Sequence, residues 1–316
     1  MQVKKQISFL IKLIISCIFL FYILQFSNLQ EIFNKFVRIK IEIFLLAFIA
    51  DILGLLFTTL TWKILFSTQK FRIKKEPSYL KLLSYNLVGK FFNFLLPTNI
   101  GGDIVKAYDL SKYSKSKSSA VASIFMVRFI GIFSMLTFIT IGTFVNHNLL
   151  SKDLLYILLL ITSIALIFSF LLFSKRIYLS PFFMKHLEFF GIDKKIKKFH
   201  TAIHLYRKDK FTVIKAYSTS ITFHIFLILR DYLVALALGF HIPITYLVLI
   251  VPLVKVILLL PISLSGIGIR EGSFVYFLTK IGISYSDALS LPLLSYIFLL
   301  FQALIGFFIY FLESYK

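Results

Sequence analysis

The sequence contains one cysteine and few acidic residues. Cys17 has no second thiol in the chain to pair with, so an intramolecular disulfide is excluded. The six histidines are scattered and do not have the spacing of a metal site. Only 14 residues are acidic, against 35 lysines and arginines, which argues against a carboxylate-based catalytic loop. We therefore expect neither a metal ion nor a cofactor.

Apolar residues and positive charge dominate what is present. The chain is 59% hydrophobic and has 38 phenylalanines, more than a soluble core needs, which predicts an all-α polytopic membrane protein. The formal net charge of +21 would suggest nucleic acid as the partner of a soluble protein. Here the basic residues cluster between apolar segments, without a basic helix or an aromatic-basic module. We therefore interpret the charge as a signal of membrane topology and expect no nucleic-acid partner.

Six apolar segments reach the roughly 20 residues that a membrane span requires. The first follows Lys4 and Lys5 as in a signal peptide, but no small-residue cleavage site follows Phe26, so we interpret it as an uncleaved span. The predicted spans are residues 7–26, 41–65, 119–145, 154–173, 211–240 and 288–312.

The distribution of lysine and arginine predicts how the chain is oriented. These residues crowd the N-terminus, the loop at residues 70–75 and the stretch 175–215, whereas the loop around Asn146 has almost none. The positive-inside rule places the crowded segments, and with them both termini, on the cytoplasmic side of the cytoplasmic membrane. The basic run at residues 194–198 is expected to lie on the anionic cytoplasmic leaflet.

Two short stretches resemble each other and interrupt apolar runs. Each begins with Leu-Leu-Pro, ending at Pro97 and at Pro261, and continues with small polar residues and glycines. A cation follows nine residues after each proline, Lys106 in the first stretch and Arg270 in the second. Proline and glycine break helices, and charge is costly inside a bilayer, so both stretches predict polar breaks in membrane helices.

The paired stretches suggest an internal repeat. We interpret residues 79–113 and 244–283 as re-entrant hairpins of two half-helices each. The order span, span, hairpin, span then occurs in residues 1–146 and again, upside down, in residues 147–316, an arrangement typical of transporters. The alternative is a kinked span followed by a loop in place of the second hairpin, giving seven or eight plain helices, because membrane helices tolerate proline.

The second stretch resembles the signature of the lysylphosphatidylglycerol synthase transmembrane family, a flippase-like membrane domain. Residues 260–272 are similar to its run of proline, glycine-x-glycine and arginine-glutamate, and residues 96–106 match its looser run of proline, glycine-acid and a basic residue. In the first stretch, Lys106 stands where arginine is more usual, and Gly101-Gly102 replaces a single glycine.

The resemblance implies a membrane domain that moves or presents lipids, among them aminoacylated phosphatidylglycerol and polyisoprenoid-linked lipids. In the synthases of this family, a soluble C-terminal domain carries out the aminoacyl transfer. Four residues follow the last predicted span, so we do not expect this sequence to make lysylphosphatidylglycerol. A separate lipid-modifying enzyme and a second copy of the chain are both compatible partners.

A lipid headgroup is expected to bind where the two hairpin tips meet. The start of each second half-helix offers free amide groups and a positive dipole, which suit a phosphate, and glycine allows close approach. Asp103 and Glu271 are expected either to neutralise the neighbouring cations when no lipid is bound or to contact a cationic headgroup. The candidate headgroup residues are Lys90, Asn93, Asn99, Gly101, Gly102, Asp103, Lys106, Lys255, Ser263, Ser265, Gly266, Gly268, Arg270 and Glu271, with helix breaks at Pro97 and Pro261.

Some of these charges also have a structural interpretation. Lys90 and Lys255 are long enough to extend to a membrane interface. Arg270 and Glu271 are equally compatible with ion pairs to the facing half of the protein.

Four further charged residues are expected to support the membrane interior. Asp51 and Arg230 each lie about 15 Å from the outer end of their span, so we expect a buried pair. Asp231 follows Arg230 directly and is expected to face elsewhere on the helix. Arg128 is expected to face the hairpin cavity, and His224 to be a hydrogen-bonded helix residue.

Lipid translocation or presentation, without enzymatic activity, is the leading hypothesis. A membrane-embedded transferase that uses a lipid-linked donor would need an acidic catalytic loop, whereas the loops here are basic. An inverted-repeat transporter of small solutes or ions is the other alternative.

Overall fold

The computed structural model describes most of the chain, and the described part is mostly α-helical. The described residues are 14, 17–69, 75–96, 101–114, 116–147, 156, 157, 159, 160, 162–165, 167, 193–260, 263 and 266–314. Within these ranges the regular secondary structure is α-helical, which confirms the predicted fold class. The helices with defined bounds are α1 Leu29–Val37, α2 Ile41–Ser67, α3 Tyr79–Leu95, α4 Gly101–Ser111, α5 Lys117–Val145, α6 Asp193–Lys208, α7 Lys210–Ala237, α8 Ile244–Ile257, α9 Ile269–Thr279 and α10 Tyr285–Ser314.

Four helices, α2, α5, α7 and α10, are long and apolar enough to cross a membrane. The 27 residues of α2 give it a length of about 40 Å, against the roughly 30 Å of the hydrocarbon core. These helices confirm four of the six predicted spans, and the protein is a multi-pass membrane protein. The other two predicted spans, residues 7–26 and 154–173, fall largely outside the described residues, although residues 17–25 are helical.

The long helices expose apolar side chains on their outer faces. Leu45, Ile49, Leu304 and Phe308 are each more than half exposed, as expected for side chains that face lipid. The largest cluster of buried apolar side chains lies inside, where α7, α8, α9 and α10 meet. The polar network described below therefore sits within an apolar framework.

Helices α3 and α4 form an antiparallel hairpin. Near the end of α3, the Asn93 side-chain oxygen accepts a hydrogen bond from the amide of Gly102 at the start of α4 (2.7 Å). Nearer the start of α3, the Tyr85 ring packs on the ring of Tyr113, just beyond the end of α4, with centroids 6.4 Å apart. The contacts move backward along α3 as they move forward along α4, which shows that the helices run in opposite directions.

Helices α8 and α9 are arranged in the same way. The Tyr246 hydroxyl, near the start of α8, donates to the carbonyl of Phe277, near the end of α9 (2.9 Å). Just beyond α8, Leu258 contacts Gly266, which precedes α9. The helices are about 21 and 17 Å long, too short to span the membrane singly. This geometry fits the predicted hairpin better than a kinked span, and its depth in the membrane stays a prediction.

The helix contacts made by the first half of the chain recur between the corresponding helices of the second half. Helix α3 packs on α10, and α8 packs correspondingly on α5; α4 packs on α5, and α9 packs on α10. Helix α1 likewise packs on α10 as α6 packs on α5, while α2 packs against its own counterpart α7. Two related halves would give this pattern. The boundary at residue 146 and the opposite membrane orientation of the halves stay predictions.

Two glycines lie at equivalent contacts between the halves. A Cβ atom on Gly306 of α10 would lie 2.1 Å from the carbonyl oxygen of Leu87 in α3. One on Gly142 of α5 would lie 2.8 Å from the Cα of Leu249 in α8. The glycines are 164 residues apart (306 − 142), as are the two cations of the paired stretches (270 − 106). Each glycine lets the first helix of one hairpin pack directly on the last span of the other half.

Candidate functional site

Arg230 holds two carboxylates where α2, α7 and α10 meet. Its Nη1 donates to Asp51 (3.1 Å), while Nε and Nη2 donate to Asp231 (2.9 and 2.6 Å). Gln302 of α10 donates to the second oxygen of Asp51. The predicted Asp51–Arg230 pair is confirmed, and its side chains are 8% and 12% exposed. Asp231, expected to face elsewhere on the helix, is nevertheless within reach of the Arg230 guanidinium.

Lys90 of α3 and Lys255 of α8 lie beside this network. Both are deep in the protein, yet each keeps some accessible surface. Lys90 interacts electrostatically with Asp51 and Arg230, and Lys255 interacts with Arg230, Asp231 and Lys90 itself. Neither ammonium group forms a salt bridge with any residue that the structure describes. One lysine from each hairpin therefore reaches the same junction without a counter-ion of its own.

The acidic residue of the first hairpin is shared between two cations. Asp103 forms an ion pair with Arg128 of α5, which places Arg128 against the hairpin as expected. The Lys106 ammonium is 3.9 Å from Asp103 and 5.8 Å from the centre of the Trp62 ring. Lys106 also lies within the electrostatic range of Lys90. The sequence predicts Asp103 as the partner of Lys106, whereas its closer partner is Arg128.

One amide at the start of α4 has a partner within the protein. The Gly102 amide, expected to be free for a phosphate, donates to Asn93. A Cβ atom on Gly102 would lie 1.9 Å from the carbonyl oxygen of Gly89, so this glycine permits helix-to-helix contact. Gly101 is buried against Leu96. The Gly102 amide is therefore already bound within the protein, and a headgroup site at the start of α4 stays a prediction.

The second hairpin satisfies the start of α9 in a related way. Glu271 is fully buried, and its Oε2 accepts a hydrogen bond from the amide of Gly268 (2.6 Å). Its predicted role of neutralising Arg270 is therefore wrong, and Arg270 forms no salt bridge within the described part of the chain. The Arg270 guanidinium instead stacks over the ring of Tyr296 in α10, 4.6 Å from its centre. Tyr296 also interacts with Glu271.

Gly268 has a backbone conformation that favours glycine, with φ at +83°. We expect Gly268→Ala to lower the free energy of unfolding by about 1–2 kcal/mol and to disturb the cap at the start of α9. Gly239→Ala is the matched control, because Gly239 has φ at +87° and open space around it. Thermal unfolding in detergent should show a similar loss for both variants. Unchanged stability of Gly268→Ala beside a loss in Gly239→Ala would contradict a strained backbone at Gly268.

The remaining predicted residues divide into described and undescribed positions. Gly266 has φ at +84° and packs on Leu258, and Ser263 is buried. His224 interacts through Nδ1 with the carbonyl of Ser220 (2.8 Å), which confirms the expected hydrogen-bonded helix residue. The predicted residues outside the described part are Pro97, Asn99, Pro261 and Ser265, and the side chains of the basic run 194–198 lie outside it as well.

Three site residues were not predicted: Trp62, Tyr296 and Gln302. Each contacts a charged side chain of another helix, through an aromatic ring in Trp62 and Tyr296 and through the side-chain amide in Gln302. Tyr296 and Gln302 are polar side chains inside a mostly apolar span, and that contrast is the sequence signal that could have identified them. Trp62 stands near the end of a predicted span, where a tryptophan is ordinary.

Comparisons with known proteins agree with this architecture. The family model described as the lysylphosphatidylglycerol synthase TM region matches residues 9–306, which include both hairpins. The UPF0104 membrane protein MJ1595 of Methanocaldococcus jannaschii is 25% identical over 302 residues, covering 90% of this chain and 88% of its own length. No solved structure matches the chain. This multi-pass membrane protein therefore belongs to the lysylphosphatidylglycerol synthase transmembrane family.

Proposed function

We propose that the protein translocates or presents a lipid whose anionic headgroup binds between the two hairpins. The observation that carries this proposal is the position of Lys90 and Lys255, one on each hairpin, without a counter-ion among the described residues. A cation deep in a protein is costly unless an anion or hydrogen-bond acceptors compensate it. An anionic headgroup supplies that compensation while its acyl chains remain in the surrounding lipid.

Arg270 is a second contact for the headgroup in this proposal. Its guanidinium lies over the ring of Tyr296, and its N–H donors form no ion pair with a carboxylate among the described residues. A guanidinium can bind two phosphate oxygens at once. The helix N-termini contribute less than the sequence suggests, because Asn93 and Glu271 already satisfy amides there.

The repeated packing supports a site that opens to each side in turn. Each hairpin packs on the last span of the opposite half, α3 on α10 and α8 on α5. A rocking motion of one half against the other would keep the two lysines between the hairpins. The site would then open first to one side of the membrane and next to the other. In this proposal the protein lies in the cytoplasmic membrane with both termini in the cytoplasm, as the lysine and arginine distribution predicts.

We propose no enzymatic step on the lipid. A general base needs a carboxylate that is free to accept a proton. At this site Asp51 and Asp231 bind Arg230, and Asp103 accepts from Arg128. Glu271 accepts from the Gly268 amide, and although its other oxygen has no hydrogen-bond partner, the residue is fully buried. These contacts favour transport over the transferase alternative. A separate enzyme that makes or modifies the lipid remains compatible with the proposal.

The test is lipid translocation in proteoliposomes with acyl-chain-labelled phosphatidylglycerol and phosphatidic acid, read by quenching of the label in the outer leaflet. Arg270→Ala should slow translocation by about tenfold or more, since a hydrogen bond to a charged group contributes about 1.5–3 kcal/mol. Glu271→Ala should also slow it, because the start of α9 loses its cap.

The matched control is Lys280→Ala, which removes an exposed cation just beyond the end of α9. Lys280 stacks on Tyr276 at the surface, away from the hairpin junction. It should translocate lipid at the wild-type rate. Wild-type rates in both Arg270→Ala and Glu271→Ala would reject the assignment of the site.

A further inference from the structure

Helix α3 of the first hairpin packs on α10, the span that follows the second hairpin, and we call this contact surface the first seam. At its outer end, the Lys81 ammonium is 2.6 Å from the Glu313 carboxylate. The same ammonium lies over the Tyr85 ring, 5.0 Å from its centre. Six residues along α3 from Lys81, the backbone of Leu87 lies against Gly306. An ion pair therefore closes the outer end of the first seam, and a close glycine contact lies deeper within it.

Helix α8 of the second hairpin packs on α5, the span that follows the first hairpin, and this contact surface is the second seam. The Asn146 side-chain nitrogen, at the end of α5, donates to the carbonyl of Thr245 in the first turn of α8 (2.9 Å). It also donates to the carbonyl of Gly142 (2.7 Å), the glycine that lies against Leu249. The second seam thus repeats the plan of the first, with a polar contact at its end and a glycine contact within.

The two end contacts occupy equivalent places in the paired halves. The glycines of the two seams are 164 residues apart, and the same interval relates Lys81 to Thr245 (245 − 81). It relates Asn146 to position 310, three residues, or about one helical turn, from Glu313 (310 − 146). Each end contact therefore joins the first turn of a hairpin to the last turn of a span from the other half.

The end contacts lie on opposite sides of the membrane. Tyr85, which contacts Lys81, also packs on Tyr113, four residues before α5 begins at Lys117. Asn146 directly follows the last residue of α5. The 29 residues of this helix give it a length of about 43 Å, enough to cross the hydrocarbon core. The lysine and arginine distribution predicts that the ion pair is on the cytoplasmic side.

We propose that the two seams are the gates of the headgroup site. Each gate is held shut by its end contact, pivots at its glycine contact and opens on its own side of the membrane. The inference rests on the proposed function for what passes the gates. Both end contacts are formed in this structure, so both gates are closed. Opening one gate while the other stays closed would admit a headgroup without leaving a polar path through the membrane.

The two gates should differ in how easily they open. The side chains of Lys81 and Glu313 are 33% and 43% exposed, so water can replace the partner of each. Such a pair shifts an equilibrium by about fivefold at most, and salt weakens it. Asn146 is 7% exposed, and a buried hydrogen bond shifts an equilibrium by about tenfold. The first gate is therefore the weaker one, and it is the one that responds to salt.

The experiment measures distances between spin labels by electron paramagnetic resonance, in the full chain with Cys17→Ser in lipid nanodiscs. Labels on Leu80→Cys and Leu312→Cys report on the first seam, and labels on Phe144→Cys and Ile244→Cys report on the second. All four native side chains are exposed, so the labels do not disturb the packing.

Removal of an end contact should open its own gate. Lys81→Met should raise the population with the longer distance at the first seam by up to about fivefold, as should high salt. Asn146→Ala should raise it at the second seam by about tenfold. Lys112→Met is the control, because it removes an ion pair with Asp109 (2.8 Å) that lies within the first hairpin, and it should open neither gate.

Lipid translocation by the same proteins separates the gates from the cargo. A chemical link between the two cysteines of either seam should stop translocation. A link between Leu56→Cys and Tyr79→Cys should leave it unchanged, because that contact joins α2 and α3 of the same half (2.8 Å from the Tyr79 hydroxyl to the Leu56 carbonyl).

Each result either supports the gates or overturns them. A single unchanged distance at both seams in every variant would overturn the gates, as would both seams opening together. Normal translocation with either seam linked would also overturn them and leave the proposed function standing. Gates that open as expected in a protein that translocates neither phosphatidylglycerol nor phosphatidic acid would support the gates and overturn the proposed function alone.

Discussion

Arg230→Met is expected to destabilise the folded protein by about 3–5 kcal/mol, because it leaves two buried carboxylates without their cation. The side chains of Asp51 and Asp231 are 8% and 3% exposed, so water cannot replace the lost guanidinium. The measurement is the loss of helical circular dichroism on heating in detergent. Lys215→Met is the matched control on the same helix, exposed at the surface, and should change stability by no more than about 0.5 kcal/mol.

The same network should tolerate joint neutralisation. Adding Asp51→Asn and Asp231→Asn to Arg230→Met should recover most of the lost stability, because a buried ion network is often replaced by neutral groups at little cost. Wild-type stability of the single Arg230→Met variant would show that the carboxylates are hydrated and that the junction of α2, α7 and α10 is open to water.

Gly102→Ala is expected to have the second largest effect. Its new Cβ would lie 1.9 Å from the carbonyl oxygen of Gly89 and 2.8 Å from Cγ of Asn93, so α3 and α4 must separate. We expect a loss of about 1–3 kcal/mol for the overpacking and about 1 kcal/mol for a weakened hydrogen bond to Asn93. Because Lys90 follows Gly89 directly, the lipid translocation proposed above should fall together with thermal stability.

Gly131→Ala tests whether this effect comes from the close contact. Gly131 is in the interior of α5, and a Cβ atom there would meet nothing within 4 Å. Alanine has the higher helix propensity, so this variant should match or exceed the wild type by up to about 1 kcal/mol. Equal losses in the two variants would mean that the tight packing of α3 on α4 is not the cause.

Long apolar runs made the membrane architecture predictable. The spans at α2, α5, α7 and α10 follow from predominantly apolar segments of more than 20 residues. Such segments are predicted to lie in the membrane because exposing them to water would cost free energy. The paired stretches likewise predicted where helices end and begin, at α3 and α4 and at α8 and α9. Proline and glycine act locally through the backbone, so their effects can be predicted without knowing the tertiary neighbours.

The partners of the polar side chains were less predictable. Sequence spacing brought Glu271 close to Arg270, yet its carboxylate turns to the Gly268 amide three residues earlier. Asn93 similarly reaches the start of the neighbouring helix instead of a ligand. A polar residue near a helix break has several acceptors and donors within reach, and only the tertiary packing selects among them. The choice decides which polar groups stay available for a ligand.

The lysines illustrate the same limit of sequence reasoning. Extension to a membrane interface was the structural alternative for Lys90 and Lys255. The structure brings both side chains within the electrostatic range of Arg230, at the centre of the helix packing. Their position depends on how α3 and α8 pack on the opposite half, which is long-range information that no local pattern contains.

The contact between Lys106 and Trp62 gives the protein an intrinsic optical reporter. Trp62 is the only tryptophan in the sequence, its side chain is buried, and its Nε1 donates to the hydroxyl of Ser123 (3.4 Å). Indole emission responds to the field of a nearby ammonium, here 5.8 Å from the ring centre. A ligand that draws this ammonium away will shift the emission wavelength of the unlabelled wild-type protein, so occupancy of the first hairpin can be followed by fluorescence in real time.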